Sequence, residues 1–337
     1  MALLELDNVA KVFAQRSGKS EVHAVAGVSL QVGKGETIGL VGESGCGKST
    51  LARIALKLID PTSGRVRFDG LDISDFSGRR MLPVRRRLQA IFQDPLASLN
   101  ARMTIEEILR EPFDAHRVRL GPQLGARIRE LLGFVGLENV DIRKLPGQFS
   151  GGQLQRIAIA RALGLEPEII VADEPTSALD PSIQAQIVNL LLEIQRRRGI
   201  SYLIISHDLD VIGHVADRIA VMYLGVIIEE GPTAGIIGQP LHPYTQALLS
   251  AAPTLAARRR RGWRRIVLTG DPPNPADVPP GCRFHPRCQL AENICRTIRP
   301  PLRPVGGGGR MVACHLAPDQ TEARGVAVAR ARRSGSA

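Results

Sequence analysis

One stretch restricts this chain more than any other: GESGCGKST, residues 42–50. The pattern G-x-x-x-x-G-K-S lies between a short apolar run, Thr37–Val41, and a helical pattern from Lys48 to about Leu58. The glycines Gly42, Gly45 and Gly47 permit backbone angles that turn successive N–H groups toward one point. A helix starting directly afterwards adds the positive end of its dipole. Strand, glycine-rich loop and helix in that order form a cradle for phosphate groups. Lys48 reaches the β- and γ-phosphates, and Ser49 offers a hydroxyl to Mg²⁺. Glu43, Ser44, Cys46 and Thr50 complete the loop and the first helical turn. The loop needs only the backbone of Cys46, whose thiol therefore reads as filler.

The rest of the sequence supplies the sheet that such a loop requires. Strands are expected at Leu3–Val12, Val22–Val32, Thr37–Val41, Arg65–Phe68, Leu88–Phe92, Ile169–Ala172 and Tyr202–Ile205. Helices are expected at Gly152–Leu163 and at Pro181–Arg198, which opens on a proline. From about Thr104 to Leu137 the periodicity is helical and charged, as in a helical insertion between strands. Continuous apolar strands alternating with helices predict an α/β fold whose parallel sheet is covered on both faces. With 44% hydrophobic but only 4% aromatic residues, its core must be mainly aliphatic.

Composition also limits function. No apolar run approaches the roughly 18–20 residues that cross a bilayer. The start, MALLELDNVAKVF, carries early acids and lacks a basic n-region, so it is not expected to be a secretory signal. The chain is expected in the cytoplasm, with any membrane role exercised through partners. The formal charge of +11 is spread over Arg85–Arg87, Arg196–Arg198, Arg258–Arg261 and the tail. These clusters are not interleaved with aromatics, as a single-strand-binding surface would be, so direct nucleic-acid binding is not expected.

A second chemical signal is IIVADE, residues 169–174. A buried strand releases two carboxylates at its C-terminal end, where open α/β sheets bind ligands. Asp173 suits Mg²⁺, held through water, and Glu174 suits a general base for an attacking water. Such a run alone is common; downstream of the phosphate loop it is specific.

Between these motifs lies FSGGQLQR, residues 149–156. Ser150, Gly151, Gly152 and Gln153 form an anion site at a helix N-terminus. Here the sequence resembles the ABC-transporter ATPase family, over roughly residues 3–235. The resemblance implies a P-loop NTPase fold with a RecA-like core, an antiparallel β subdomain and a helical subdomain. In that family's dimers the SGGQ turn faces the partner's nucleotide. Gln93, in IFQDP, resembles the glutamine that senses Mg²⁺ and links to the membrane subunit. Ser177–Asp180, reading SALD, resembles the loop crossing the dimer interface, with Asp180 at its end. His207, in IISHD, resembles the switch histidine at the γ-phosphate. Phe13 resembles the aromatic that stacks on adenine. Leu154 departs from the polar or basic residue usual there.

HPYT at residues 242–245, then QALLSAAP, QDPLASLN and PPGCRFHPRC, sharpen the resemblance to the ATPases of dipeptide and oligopeptide importers and their nickel and glutathione relatives. This implies an ATP-hydrolysing subunit at the cytoplasmic face of the membrane. Its partners would be a second ABC ATPase, two membrane permease subunits and an extracytoplasmic solute-binding protein. The rival is a soluble ABC ATPase acting on nucleic acid or ribosomes; such proteins usually carry two cassettes, a long coiled coil or zinc insertions, none of which is seen. The expected domains are a nucleotide-binding domain at 1–240, an importer-type extension at 241–318 and a disordered tail at 319–337.

Four cysteines crowd into the extension: Cys282, Cys288, Cys295 and Cys314, spaced C-x5-C-x6-C-x18-C. Four thiolates can hold Zn²⁺ or an iron–sulfur cluster, and His285 or His315 could substitute as ligands. The spacing matches neither a common zinc ribbon nor a common ferredoxin run and leaves metal, or free thiols, open. The family resemblance implies a [4Fe-4S] cluster.

Overall fold

The computed structural model describes residues 2–14, 21–251, 265–306 and 308–318. The Arg258–Arg261 cluster and the 319–337 tail lie outside the described residues. The strands are β1 Ala2–Ala14, β2 Glu21–Gly33, β3 Thr37–Val41, β4 Ser63–Phe68, β5 Leu71–Asp72, β6 Leu88–Ile91, β7 Ile169–Asp173, β8 Ser201–Ser206, β9 Arg218–Tyr223, β10 Val226–Pro232, β11 Arg303–Pro304 and β12 Met311–Val312. The α-helices are α1 Lys48–Ala55, α2 Leu82–Arg87, α3 Pro95–Ser98, α4 Ile105–Ala115, α5 Leu124–Phe134, α6 Gly151–Leu163, α7 Pro181–Arg198, α8 Leu209–Val215, α9 Thr233–Gly238, α10 Pro243–Ala251 and α11 Asn293–Thr297. No helix among the described residues is long and apolar enough to cross a membrane.

Contacts divide the chain into two units. The first comprises Met1–Asp7, Ser29–Thr37 and Ala52–Ser206; the second comprises Asn8–Val28, Ile38–Leu51 and His207–Ala337.

In the first unit β6, β7 and β8 are parallel, with Ile91 opposite Ala172 and Asp173 opposite Ile205. Ile169–Ala172 are fully buried, as expected of a strand covered on both faces, and Asp173 is the first residue of β7 to emerge. The helical insertion is present but broken. α4 opens on a capping box in which Thr104 Oγ1 accepts from Glu107 N–H and the Glu107 carboxylate accepts from Thr104 N–H. It ends at His116, where Arg117 turns left-handed at φ 56°, and α5 resumes at Leu124. α1 stops three residues short of Leu58, because Lys57 adopts φ 51° and sends its ammonium to Asp60 and the Ser74 carbonyl.

In the second unit β3 runs parallel to β9, β9 and β10 form an antiparallel hairpin, and β12 then β11 extend the sheet beyond β10. The sequence reading assigns no strand to 218–232. The run IAVMYLGVII is apolar throughout, and periodicity alone does not tell such a run from a buried helix. Its turn, Leu224–Gly225, has both residues at positive φ, 43° and 82°, the geometry of a two-residue hairpin loop.

Candidate active site

The phosphate loop belongs to the second unit. Gly42 and Gly47 are required there by close approach: a Cβ on Gly47 would lie 2.1 Å from the Ala24 carbonyl oxygen, and one on Gly42 2.2 Å from that of Met222. Lys48 is buried, and its ammonium donates to the carbonyls of Gly42 at 2.8 Å and Glu43 at 2.9 Å. The loop's own carbonyls thus hold the cation beside the N-terminus of α1, which begins at Lys48 with Ser49 and Thr50 in its first turn. Ser44 and Gly45 are exposed at the loop tip. Cys46 is buried, and burial pushes its thiol up from the usual range, in keeping with a filler.

Two residues of the extension reach this loop. The Tyr244 hydroxyl accepts from the Glu43 backbone N–H at 2.8 Å. The Arg287 guanidinium donates to both Glu43 carboxylate oxygens, at 2.7 and 3.1 Å. Sequence reasoning quoted HPYT and RFHPR as marks of resemblance and gave Tyr244 and Arg287 no role. No local signal could have found them, because the contacts join residues 201 and 244 positions apart.

Elsewhere in the second unit, Phe13 is 42% exposed on β1, with the Lys11 ammonium 5.3 Å from its ring centroid. His207 is exposed ahead of α8, whose N-terminus is capped by Asp208 accepting from Asp210 and Val211 N–H.

The first unit brings two predicted residues together. Gln93 Nε2 donates to Glu174 Oε2 at 3.1 Å. Glu174 adopts φ 47°, and its N–H donates to the Ile205 carbonyl at 2.9 Å. A non-glycine residue in this region costs of order 1–3 kcal/mol, a cost typically stored where the side-chain direction matters. The turn after it is tied down by Ser177, which donates to the Glu174 carbonyl, and by Gln184, whose amide donates to the Thr176 carbonyl. Asp180 is exposed at the start of α7.

The SGGQ turn opens α6 as a capping box. Ser150 Oγ accepts from Gln153 N–H at 3.4 Å, and Gln153 Oε1 accepts from Ser150 N–H at 3.0 Å. A Cβ on Gly152 would lie 2.7 Å from Ile183 Cγ2, whereas Gly151 is exposed. Leu154 is buried on the inward face of α6, so its departure from a polar residue leaves the turn intact.

The cysteine expectation finds no support in the structure. Among the described residues no group of three or more His, Cys, Asp or Glu side chains is placed to hold a metal ion. Burial pushes the thiols of Cys282, Cys288 and Cys314 up from the usual range, and neighbouring cysteines push them further in the same direction. That mutual push marks the thiols as neighbours, and it speaks only of their metal-free state, since a bound metal deprotonates its thiol ligands. His285 Nδ1 instead meets the Cys282 carbonyl, and His315 Nε2 the Ile298 carbonyl. The arrangement of the described residues gives the [4Fe-4S] expectation no support, and no step is derived through a cluster.

Residues 25–177 match the ABC transporter family, and residues 228–295 match the oligopeptide/dipeptide transporter C-terminal region. The chain is 48% identical over 320 residues to the oligopeptide transport ATP-binding protein AppF of Bacillus subtilis (strain 168), covering 93% of this chain and 97% of that one. The chain belongs to the ATP-binding subunits of oligopeptide-type ABC transporters. A dimeric ATP-binding cassette in a post-hydrolysis state, bound to ADP and Pi, is similar at TM-score 0.63 and 32% identity, covering 68% of this chain and 98% of that one. The cassette cbiO1 of Clostridium perfringens, part of an ABC transporter complex, is similar at TM-score 0.62 and 30% identity, covering 71% of this chain and 91% of that one. The expected ABC ATPase fold is therefore the fold observed. As a member of this family the subunit is an ATPase coupled to transport. It works with membrane permeases and a substrate-binding partner.

Proposed function

We propose that this ATPase drives import of di- or oligopeptides, or related small solutes, from the cytoplasmic face of the membrane. In this reading it pairs head to tail with a second ABC ATPase on two permease subunits fed by an extracytoplasmic solute-binding protein. The observation that carries the reading is the match of residues 228–295 to the oligopeptide/dipeptide transporter C-terminal region in a chain that also carries a full set of ATPase motifs, and we divide it into a nucleotide-binding domain, residues 1–240, and an importer-type extension, residues 241–318. The soluble alternative, acting on nucleic acid or ribosomes, is not favoured, since the curated relative acts in oligopeptide transport.

Roles follow motif by motif. The amides of residues 42–50 and the Lys48 ammonium bind the phosphates and neutralise charge that develops in the transition state. Phe13 stacks on adenine. When bound with ATP, Mg²⁺ neutralises phosphate oxygens; Ser49 is assigned to it by its hydroxyl, and Asp173 and Gln93 by theirs as carboxylate and amide ligands or through water. Glu174 is the base that takes a proton from the attacking water, and Gln93 holds one of its oxygens until then. His207 contacts the γ-phosphate. Ser150–Gln153 and Asp180 serve the partner's nucleotide.

Glu174→Gln tests the base assignment: turnover should fall to background with ATP binding retained, and substantial hydrolysis would remove Glu174 from that role. The transport reading is tested by tagging the chain, solubilising membranes in mild detergent and identifying what co-purifies. A second ATPase with two multi-span proteins supports it; recovery of ribosomes or DNA alone would overturn it.

A further inference from the structure

We propose that Tyr244 and Arg287 are positioning residues for the phosphate loop: they grip Glu43 from two sides and so let the C-terminal extension set the loop's affinity for nucleotide. The inference rests on the reading that residues 42–50 bind the phosphates of ATP.

Glu43 is held at both ends. Its backbone N–H is taken by the Tyr244 hydroxyl, and its carboxylate by the two-pronged guanidinium of Arg287. Its carbonyl is one of the two that hold the Lys48 ammonium, and the same oxygen accepts from Cys46 N–H at 3.3 Å. Fixing the Glu43 peptide therefore fixes the seat of the lysine that meets the phosphates.

The two gripping residues are themselves immobilised. The Tyr244 ring is fully buried, with centroids 4.7 Å from Tyr223 and 5.4 Å from Phe284, and Tyr223 and Phe284 meet edge to face at 5.3 Å. The Tyr244 N–H donates to His242 Nδ1, and the His242 N–H donates to the buried Glu229 carboxylate. Arg287 closes the turn that begins at Phe284, its N–H donating to the Phe284 carbonyl at 3.0 Å. Its side chain is only 8% exposed, and burial alone disfavours its charge; the Glu43 carboxylate outweighs that and holds the guanidinium firmly protonated. Arg287 Nε is buried without a hydrogen-bond partner among the described residues, which leaves the Glu43 pair, with the Tyr223 hydroxyl beside it, as the main compensation for this charge.

A planar, bidentate pair specifies direction as well as distance. A loop already held in one geometry loses less freedom when phosphate binds, and that saving appears as affinity. A clip that merely fastens the extension would move stability and leave affinity alone.

The experiment measures the dissociation constant of the full-length chain for a non-hydrolysable ATP analogue with Mg²⁺, and its melting temperature. The variants are Arg287→Gln, Tyr244→Phe, Glu43→Gln, the double variant Glu43→Gln with Arg287→Gln, and Lys48→Ala. Arg287→Gln should weaken binding about tenfold and Tyr244→Phe several-fold, and the double variant should be no weaker than its weaker parent. ATP turnover should show the same split, with KM raised and kcat little changed. Tyr244→Phe keeps the buried ring, so it decides the matter if Arg287→Gln does not fold. Loss of binding in Lys48→Ala, with wild-type affinity in Arg287→Gln and Tyr244→Phe, would overturn the proposal alone. Unchanged binding in Lys48→Ala would overturn the phosphate-loop reading and the proposal with it.

Discussion

His242 should make the fold acid-sensitive in a calculable way. Its ring is 1% exposed, and burial pushes its pKa down to about 3 from an ordinary 6.5. Its Nδ1 accepts the Tyr244 N–H, so the neutral ring carries its proton on Nε2. The folded pKa lies below the unfolded one, so unfolded chains bind the proton first. Stability is complete above pH ~6.5 and is lost as the pH falls from there toward ~3. For one such group, linkage gives a loss of about 2 kcal/mol between pH 7 and pH 5, with a slope approaching ~1.4 kcal/mol per pH unit. Urea unfolding at both pH values should be compared between wild type and His242→Asn, whose amide oxygen can still accept from Tyr244. Carboxylates common to both proteins cancel in the difference. Wild type should lose about 2 kcal/mol more than the variant on going to pH 5. Equal losses would refute the assignment of a buried neutral histidine.

Phe13→Ala should weaken ATP binding about tenfold, the scale of one lost base–aromatic stack, while Phe13→Trp keeps it; a nucleotide titration showing no change in the alanine variant would remove Phe13 from the adenine site. Ser150→Ala deletes one arm of the α6 capping box and should cost ~1 kcal/mol of stability by urea unfolding, with a midpoint shift and unchanged slope. Gly47→Ala must place its Cβ 2.1 Å from a backbone oxygen at φ 107°, so nucleotide binding should be lost; wild-type binding would show that the loop tolerates a shift there.

The local motifs were legible because each is set by neighbouring residues. The strand–loop–helix at 37–55, the carboxylates ending β7 and the capped turn at 150–153 need only short-range rules, and all appear where the spacing put them. β9 and β10 were not legible, since an unbroken apolar run fits a buried helix as well as a strand, and only pairing partners decide. The grip on Glu43 was invisible for a different reason: it joins residues 201 and 244 positions apart, and no local pattern reports such a contact. The cysteines are a further case: spacing left metal or free thiols open, and the structure brings the thiols near one another without arranging a metal-holding group among the described residues.

The buried Glu229 carboxylate gives the extension an unexpected status. Among the described residues, each hydrogen bond to this carboxylate comes from beyond residue 240: from the N–H groups of Leu241 and His242, and from the Arg310 guanidinium. β12 likewise covers the edge of β10. A cut at residue 240, where the motifs suggest one module ends and another begins, would strand an anion in the interior and bare a hydrogen-bonding edge to other chains. The shortest piece of this protein that folds without aggregating should therefore run past Arg310, and tails exchanged between such subunits should work only when the partners of this one glutamate travel with them.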